Sequence, residues 1–254
     1  MPDASPWTRT RLRTANLAVG LIHLAQAIVI LVIANDFAIT VFGQFADGPP
    51  GSGPFPTESL FDLRFGPAIA LFLGLAAVDH LLVAAPRVID WYERNLDRGV
   101  NYARWIEYSV SASVMVVLIA MLTGVDGLYA LSGIFGANAA MILFGLLMER
   151  FNPPGRRPDW LPFLFGCIAG AIPWIVIAIA IIGAQVQSEG VPTFVFVIFV
   201  TLFALFNCFA VNQVLQYRGV GRWRDYRFGE AVYILLSLTA KTALAWQVFF
   251  PTLI

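Results

Sequence analysis

A single lysine, Lys241, interrupts the apolar run "EAVYILLSLTAKTALAWQVFF" near the C-terminus, and it is the only lysine beside fifteen arginines in 254 residues. A primary amine in such surroundings has two uses. Held as an ammonium beside a carboxylate, it makes a buried ion pair that fixes helix register. Arginine suits that role better, because its planar fork binds a carboxylate bidentately and keeps its charge. Desolvated, a lysine amine loses its proton and condenses with a carbonyl to an imine. Lys241 alone leaves both readings open. Glu107, Ser237 and the only two histidines, His23 and His80, belong to the same question. Each stands in an apolar stretch, where an ionisable group is costly unless it is paired or hydrated.

The elements that position these groups follow from composition. Hydrophobic residues make up 59 % of the chain and charged residues only 13 %, with a mean hydropathy of +0.75. That balance belongs to an integral membrane protein. Apolar stretches of about 20 residues, enough for a helix to cross the bilayer, recur at Thr14 to Ala34, Phe65 to Ala85, Val100 to Thr123, Gly127 to Leu147, Leu161 to Ala184, Val191 to Leu215 and Gly229 to Phe250. These runs are too long and too continuously apolar for barrel strands. The expected fold is an all-α bundle of seven transmembrane helices forming one domain over residues 1–254. The first apolar run is longer than a signal-peptide core and lacks a clear cleavage site, so it counts as a helix. Cys167 and Cys208 fall inside apolar segments and suggest packing, with no disulfide framework or metal site.

Fourteen of the fifteen arginines fall before the first segment or in alternate loops, and only Arg64 lies on the other side. The positive-inside rule then makes the N-terminus cytoplasmic and the C-terminus extracellular in a multi-pass protein of the cell membrane. Residues 36–64 form a long external loop rich in Gly and Pro, expected to act as a structured cap. A short turn at Asp126 and the "GAQVQSEGVP" turn complete that side. "GCIAG", with Gly166 and Gly170, allows close helix approach.

At about 1.5 Å per residue, His23, His80, Glu107, Ser237 and Lys241 all lie roughly 8–18 Å from the inner boundary. Ser237, four residues before Lys241, shares its face one turn inward. Asp79 adjoins His80, so the two are expected to face different ways, Asp79 toward a neighbouring helix or the inner end. An amine, a carboxylate and a hydroxyl thus share one site. Outward of Lys241 the segments offer only neutral groups such as Thr242, Gln247, Gln185 and Thr123.

Seven helices with a lone lysine midway along the seventh resemble a retinal protein. In "RWIEYSVSASVM" the order of an arginine, a carboxylate three residues on, an aromatic and a hydroxyl is similar to the microbial rhodopsin pattern. The resemblance implies covalent all-trans retinal as a protonated Schiff base on Lys241, with Glu107 as counterion. It also implies Tyr108 against the polyene and Ser111 near the Schiff base. Met115, and the Met141 and Gly145 of "MILFG", join the pocket, while Arg104 joins His23 and His80 in a polar, proton-accepting cluster. Phe203, Phe206, Asn207 and Trp246 are expected to line it, with the outer phenylalanines Phe196 and Phe199 left to packing. Gln26 and Asn138 are expected to add polar contacts.

The pattern departs from ion pumps in two places. Ser237 stands where pumps carry a second carboxylate, and Leu118 where proton pumps keep an internal donor. Together with the inverted orientation, "SLTAK", the two histidines and the long first external loop, the chain resembles the heliorhodopsins. That resemblance implies a homodimer and a light-driven photocycle without net ion pumping. A sensory role with a cytoplasmic signalling partner is then expected, the alternative being a light-driven transporter or channel. No metal cluster, nucleophile triad or phosphate loop points to an enzyme, and no nucleic-acid partner is expected.

Overall fold

The computed structural model describes residues 5–187 and 191–252, so residues 188–190 of the "GAQVQSEGVP" turn lie outside the described residues. Among the described residues, seven helices are long and apolar enough to cross a membrane. They are α1 (Arg9–Ile33), α2 (Phe65–Ala84), α4 (Tyr102–Leu122), α5 (Leu128–Phe151), α6 (Leu161–Gln187), α7 (Thr193–Arg218) and α8 (Tyr226–Thr252), with a short α3 (Ile89–Asp97) between α2 and α4.

Local chemistry sets the ends. Thr8 accepts a hydrogen bond from the backbone N–H of Arg11, and Asn101 accepts one from that of Arg104 at 3.1 Å, so both cap helix N-termini. α7 stops at Gly219, whose φ of 59° is the left-handed conformation glycine adopts without strain.

The all-α expectation fails in the loop between α1 and α2. β1 (Ala38–Gln44) and β2 (Thr57–Arg64) pair antiparallel, with a register shift between Val41 and Phe42. The β-branched and aromatic residues of "AITVF" favour a pleated, half-buried surface over a third outer turn of helix. Val41 is 1 % exposed and belongs to the bundle core. The Phe42 backbone N–H donates to Asp126 O at 3.0 Å, and the Tyr129 hydroxyl donates to Gln44 O at 3.0 Å. The hairpin is therefore fastened to the start of α5. A second correction concerns the loop after α2, which holds α3 with Ile89, Tyr92 and Leu96 buried against α1 and α8 residues.

Two thirds of the central window of α4 is buried (67 %) against 17 % for α7, so α4 is the hub and α7 an outer wall. Phe72, Leu73, Met115, Leu118, Ile119, Leu244 and Val248 fill the space between α2, α4 and α8. Small residues bring α6 onto α5: a methyl group on Gly166 would meet the Phe144 Cβ at 3.2 Å, and one on Gly170 would collide with the Met141 side chain. The "GCIAG" spacing thus serves packing within the bundle. The backbones of α6 and α7, by contrast, hardly approach each other.

Gly170→Leu should therefore overpack the α5/α6 contact by about 1–3 kcal/mol, lowering the melting temperature in detergent. Gly183→Ala, where the added methyl meets nothing within 4 Å, should leave it unchanged.

Candidate functional site

α8 presents Lys241 and α4 presents Glu107 across the bundle interior. The Lys241 Nζ donates to both Glu107 oxygens at 2.8 Å, with the two side chains 4 % and 7 % exposed. Nζ lies 4.6 Å from the centre of the Tyr108 ring. One turn before Lys241, the Ser237 hydroxyl lies 3.2 Å from His80 Nε2. The His80 and His23 rings stack with centroids 5.9 Å apart, and neither nitrogen of the fully buried His23 has a hydrogen-bond partner among the described residues.

Lys241 also borders a cavity of ≈ 530 Å³ between α4, α5, α6, α7 and α8, within the range of about 300–1,000 Å³ typical of small-molecule sites. Of the residues singled out in the sequence, Tyr108, Met115, Met141, Gly145, Phe203, Phe206 and Asn207 line it. Phe203 is 44 % exposed, because the cavity opens laterally where α6 and α7 stand apart.

Several of the expected site residues lie off this cavity, and one residue left to packing lies on it. Trp246 does not line the cavity: its indole N–H donates to Gln26 at 3.0 Å, and Gln26 donates to Thr242 at 3.1 Å, forming a neutral group toward the C-terminal end of α8 from Lys241. Asn138 donates to the Ser113 hydroxyl at 3.1 Å instead of facing the cavity. Ser111 is fully buried, its hydroxyl has no hydrogen-bond partner among the described residues, and it too lies off the lining. Phe199, assigned to packing, is on the lining and meets Trp174 with ring centres 5.8 Å apart.

Sequence reasoning missed Trp174 and Trp105. Trp174 joins α6 to Phe199, Phe203 and Phe206 of α7 across the gap between their backbones. Its place one turn beyond Gly170, directly after Pro173, was the available signal. Trp105 fills the space left by Gly145, where an added methyl would strike the indole.

Arg104 does not stand free beside the histidines. Its guanidinium pairs with Glu149 at 2.5 Å and with Glu230, and it stacks 3.9 Å over the Tyr233 ring. Glu149 also accepts from the Trp105 indole at 2.6 Å and the Tyr226 hydroxyl at 3.1 Å. Both carboxylates lie at segment ends that read as interfacial, yet Glu149 is 1 % and Glu230 2 % exposed. Asp79, expected to face a neighbouring helix or the inner end, borders a small cavity with its neighbour His80 and with Arg104, Tyr92 and Glu230. Burial pushes the Tyr92 phenol well above its ordinary range, with the nearby Glu230 charge adding to the effect, so it remains a donor.

The fold is that of the microbial rhodopsins. The structure of a light-driven proton pump from Leptosphaeria maculans superposes with a TM-score of 0.67 at 14 % identity, over 94 % of this chain and 93 % of that one. The red light-activated channelrhodopsin Chrimson gives 0.62 at 14 % identity, over 99 % and 81 %. Exiguobacterium sibiricum rhodopsin gives 0.59 at 15 % identity, over 99 % and 98 %. No curated protein matches the chain significantly. Fold and spans thus define a multi-pass membrane protein with the microbial rhodopsin fold. The heliorhodopsin family model matches residues 12–253, and the chain belongs to that family. Family and fold neighbours imply a retinal chromophore. The residues fit one: a buried amine at the wall of an apolar, aromatic-lined cavity, with a carboxylate already on it.

Removing the Arg104 charge strands two buried carboxylates. Arg104→Met should cost about 3–5 kcal/mol of stability, read as a fall in melting temperature. An unchanged temperature would show that the pair is not buried as described.

Proposed function

We propose that this protein is a light sensor in which all-trans retinal is held covalently through Lys241, and that its photocycle moves no net charge across the membrane. The observation that carries this reading is the Lys241 amine, held at 2.8 Å by both oxygens of Glu107 at the wall of the cavity. Bound there, the chromophore supplies absorption of visible light and a light-driven change of shape.

The chain's own residues do the rest. Glu107 supplies the negative charge that keeps a cation at Lys241 Nζ stable in a low-dielectric interior. Tyr108 offers its ring face to the same cation, and Ser237 offers a neutral dipole where a second carboxylate would divide the charge. Met141, Phe199, Phe203, Phe206 and Trp174 exclude water and fix the chromophore's orientation. When the pairing at Nζ weakens, His80 and His23 are placed to take the proton, since Ser237 already links the Lys241 face to His80.

The asymmetry of polar groups supports a sensor over the alternative, a light-driven transporter or channel. Every helical carboxylate and histidine beside the site lies level with Lys241 or inward of it, whereas Gln26, Thr242 and Trp246 outward of it are neutral and bonded to one another. Vectorial transport requires titratable groups on both sides. The arginine distribution supports an inward, cytoplasmic N-terminus, and the hairpin would cap the outer end. A homodimer and a cytoplasmic signalling partner complete the proposal; Gly133 and Gly136 on α5, where added methyls meet nothing, offer a close-approach face for the former.

Protein expressed with all-trans retinal should show a visible absorption band that Lys241→Ala abolishes and Glu107→Gln shifts. Absence of a band in the unmodified protein, or an unshifted band in Glu107→Gln, would contradict the assignment. Illuminated intact cells should show no sustained current or pH change, and either one would establish transport.

A further inference from the structure

We infer that Glu230 is the residue that stores the proton leaving the Lys241 site, reached from His80 through the small polar cavity that both border. This rests on the retinal reading above and adds a destination to it. The first support is connectivity. His80 Nδ1 lies 2.7 Å from Asn16 Oδ1, the Asn16 amide donates to the Tyr92 hydroxyl at 3.4 Å, and that hydroxyl donates to Glu230 at 3.0 Å. An amide carries protons poorly, so Asn16 orients His80 and Tyr92. The cavity bordered by His80, Asp79, Tyr92 and Glu230 measures ≈ 10 Å³, about what a single water requires.

The second support is charge. One guanidinium, Arg104, faces two buried carboxylates, Glu149 and Glu230, so the centre holds a surplus negative charge that one proton would cancel. The groups facing Glu230 are Arg104 on α4, Asn101 before it, Tyr92 on α3 and Asp79 on α2. Glu149 is the lesser candidate: the Asn101 backbone, Trp105, Tyr226 and Arg104 all donate to it, and it does not border the cavity.

In the step itself an N–H bond at Lys241 Nζ breaks and an O–H bond at Glu230 forms. His80 accepts a proton at Nε2 and gives one to a water held in the cavity; the water passes a proton to the Tyr92 hydroxyl as that hydroxyl gives its own to Glu230, so His80, the water and Tyr92 all end neutral and no oxidant or reductant is needed.

Light-minus-dark infrared spectroscopy of the pigment tests this. The carbonyl stretch of a protonated carboxylic acid should rise with the light-induced deprotonation, vanish in Glu230→Gln, move in frequency in Glu230→Asp, and rise about tenfold more slowly in Tyr92→Phe. Asp79→Asn should leave it in place. A band that survives Glu230→Gln, disappears in Asp79→Asn, keeps its rate in Tyr92→Phe, or never forms in the unmodified protein would overturn the inference. Tyr92→Phe keeps the Arg104 ion pairs and so decides the matter even if Glu230→Gln does not fold. Dark infrared titration of the retinal-free protein is the second readout. An acid band lost in Glu230→Gln there supports proton storage even if the chromophore reading fails; its absence counts against storage alone.

Discussion

A lysine and a glutamate held together away from water are the constraint on which the rest of this structure depends. Each charge taken out of water costs several kcal/mol, and only close, bidentate pairing repays it. The Lys241–Glu107 contact supplies that pairing, with both oxygens at 2.8 Å. It also dictates which helices must be central. α4 carries Glu107 and is the most enclosed helix, α8 carries Lys241, and the apolar core between them is closed by α2. The outer wall, α7, carries no charge of the site and is free to stand away from α6, leaving the cavity a lateral opening that Trp174 spans.

A second buried charge centre lies toward the N-terminal ends of α4 and α8 from the first. Arg104 with Glu149 and Glu230 ties α4, α5 and α8 together at the end where the arginines gather, while Tyr92 and Asn101 join α3 and the loop after it to the same carboxylate. Polar connections therefore run from the lysine toward one surface only. In the opposite half Gln26, Thr242 and Trp246 are neutral and bonded to one another, and Val41 of the hairpin is buried in the core.

Much of this was legible in the sequence, because the membrane simplifies the problem. Seven apolar runs match the seven spanning helices among the described residues, with the largest error the start of α1, at Arg9 where Thr14 was expected, since hydrocarbon leaves the backbone few alternatives to a helix. Lys241 and Glu107 were found because a charge in such a run has to be answered by another. What escaped were features whose meaning depends on tertiary contacts. Glu149 and Glu230 sit at helix ends, where a carboxylate normally meets water, and only the fold buries them around Arg104. α3 is too short and polar to stand out from a loop until Ile89, Tyr92 and Leu96 find their partners. Trp246 and Trp174 are indistinguishable by composition, yet the first turns toward Gln26 and the second toward the cavity. The hairpin was hidden by the Gly and Pro residues around its turn.

The central claim is that Lys241 carries the chromophore. Borohydride reduction of retinal-reconstituted protein, which fixes a carbonyl-derived link to an amine, followed by proteolysis and mass spectrometry, tests it most directly. The expected result is a retinyl group on the peptide containing Lys241 and on no other. Recovery of retinal unattached, or attached elsewhere, would contradict it.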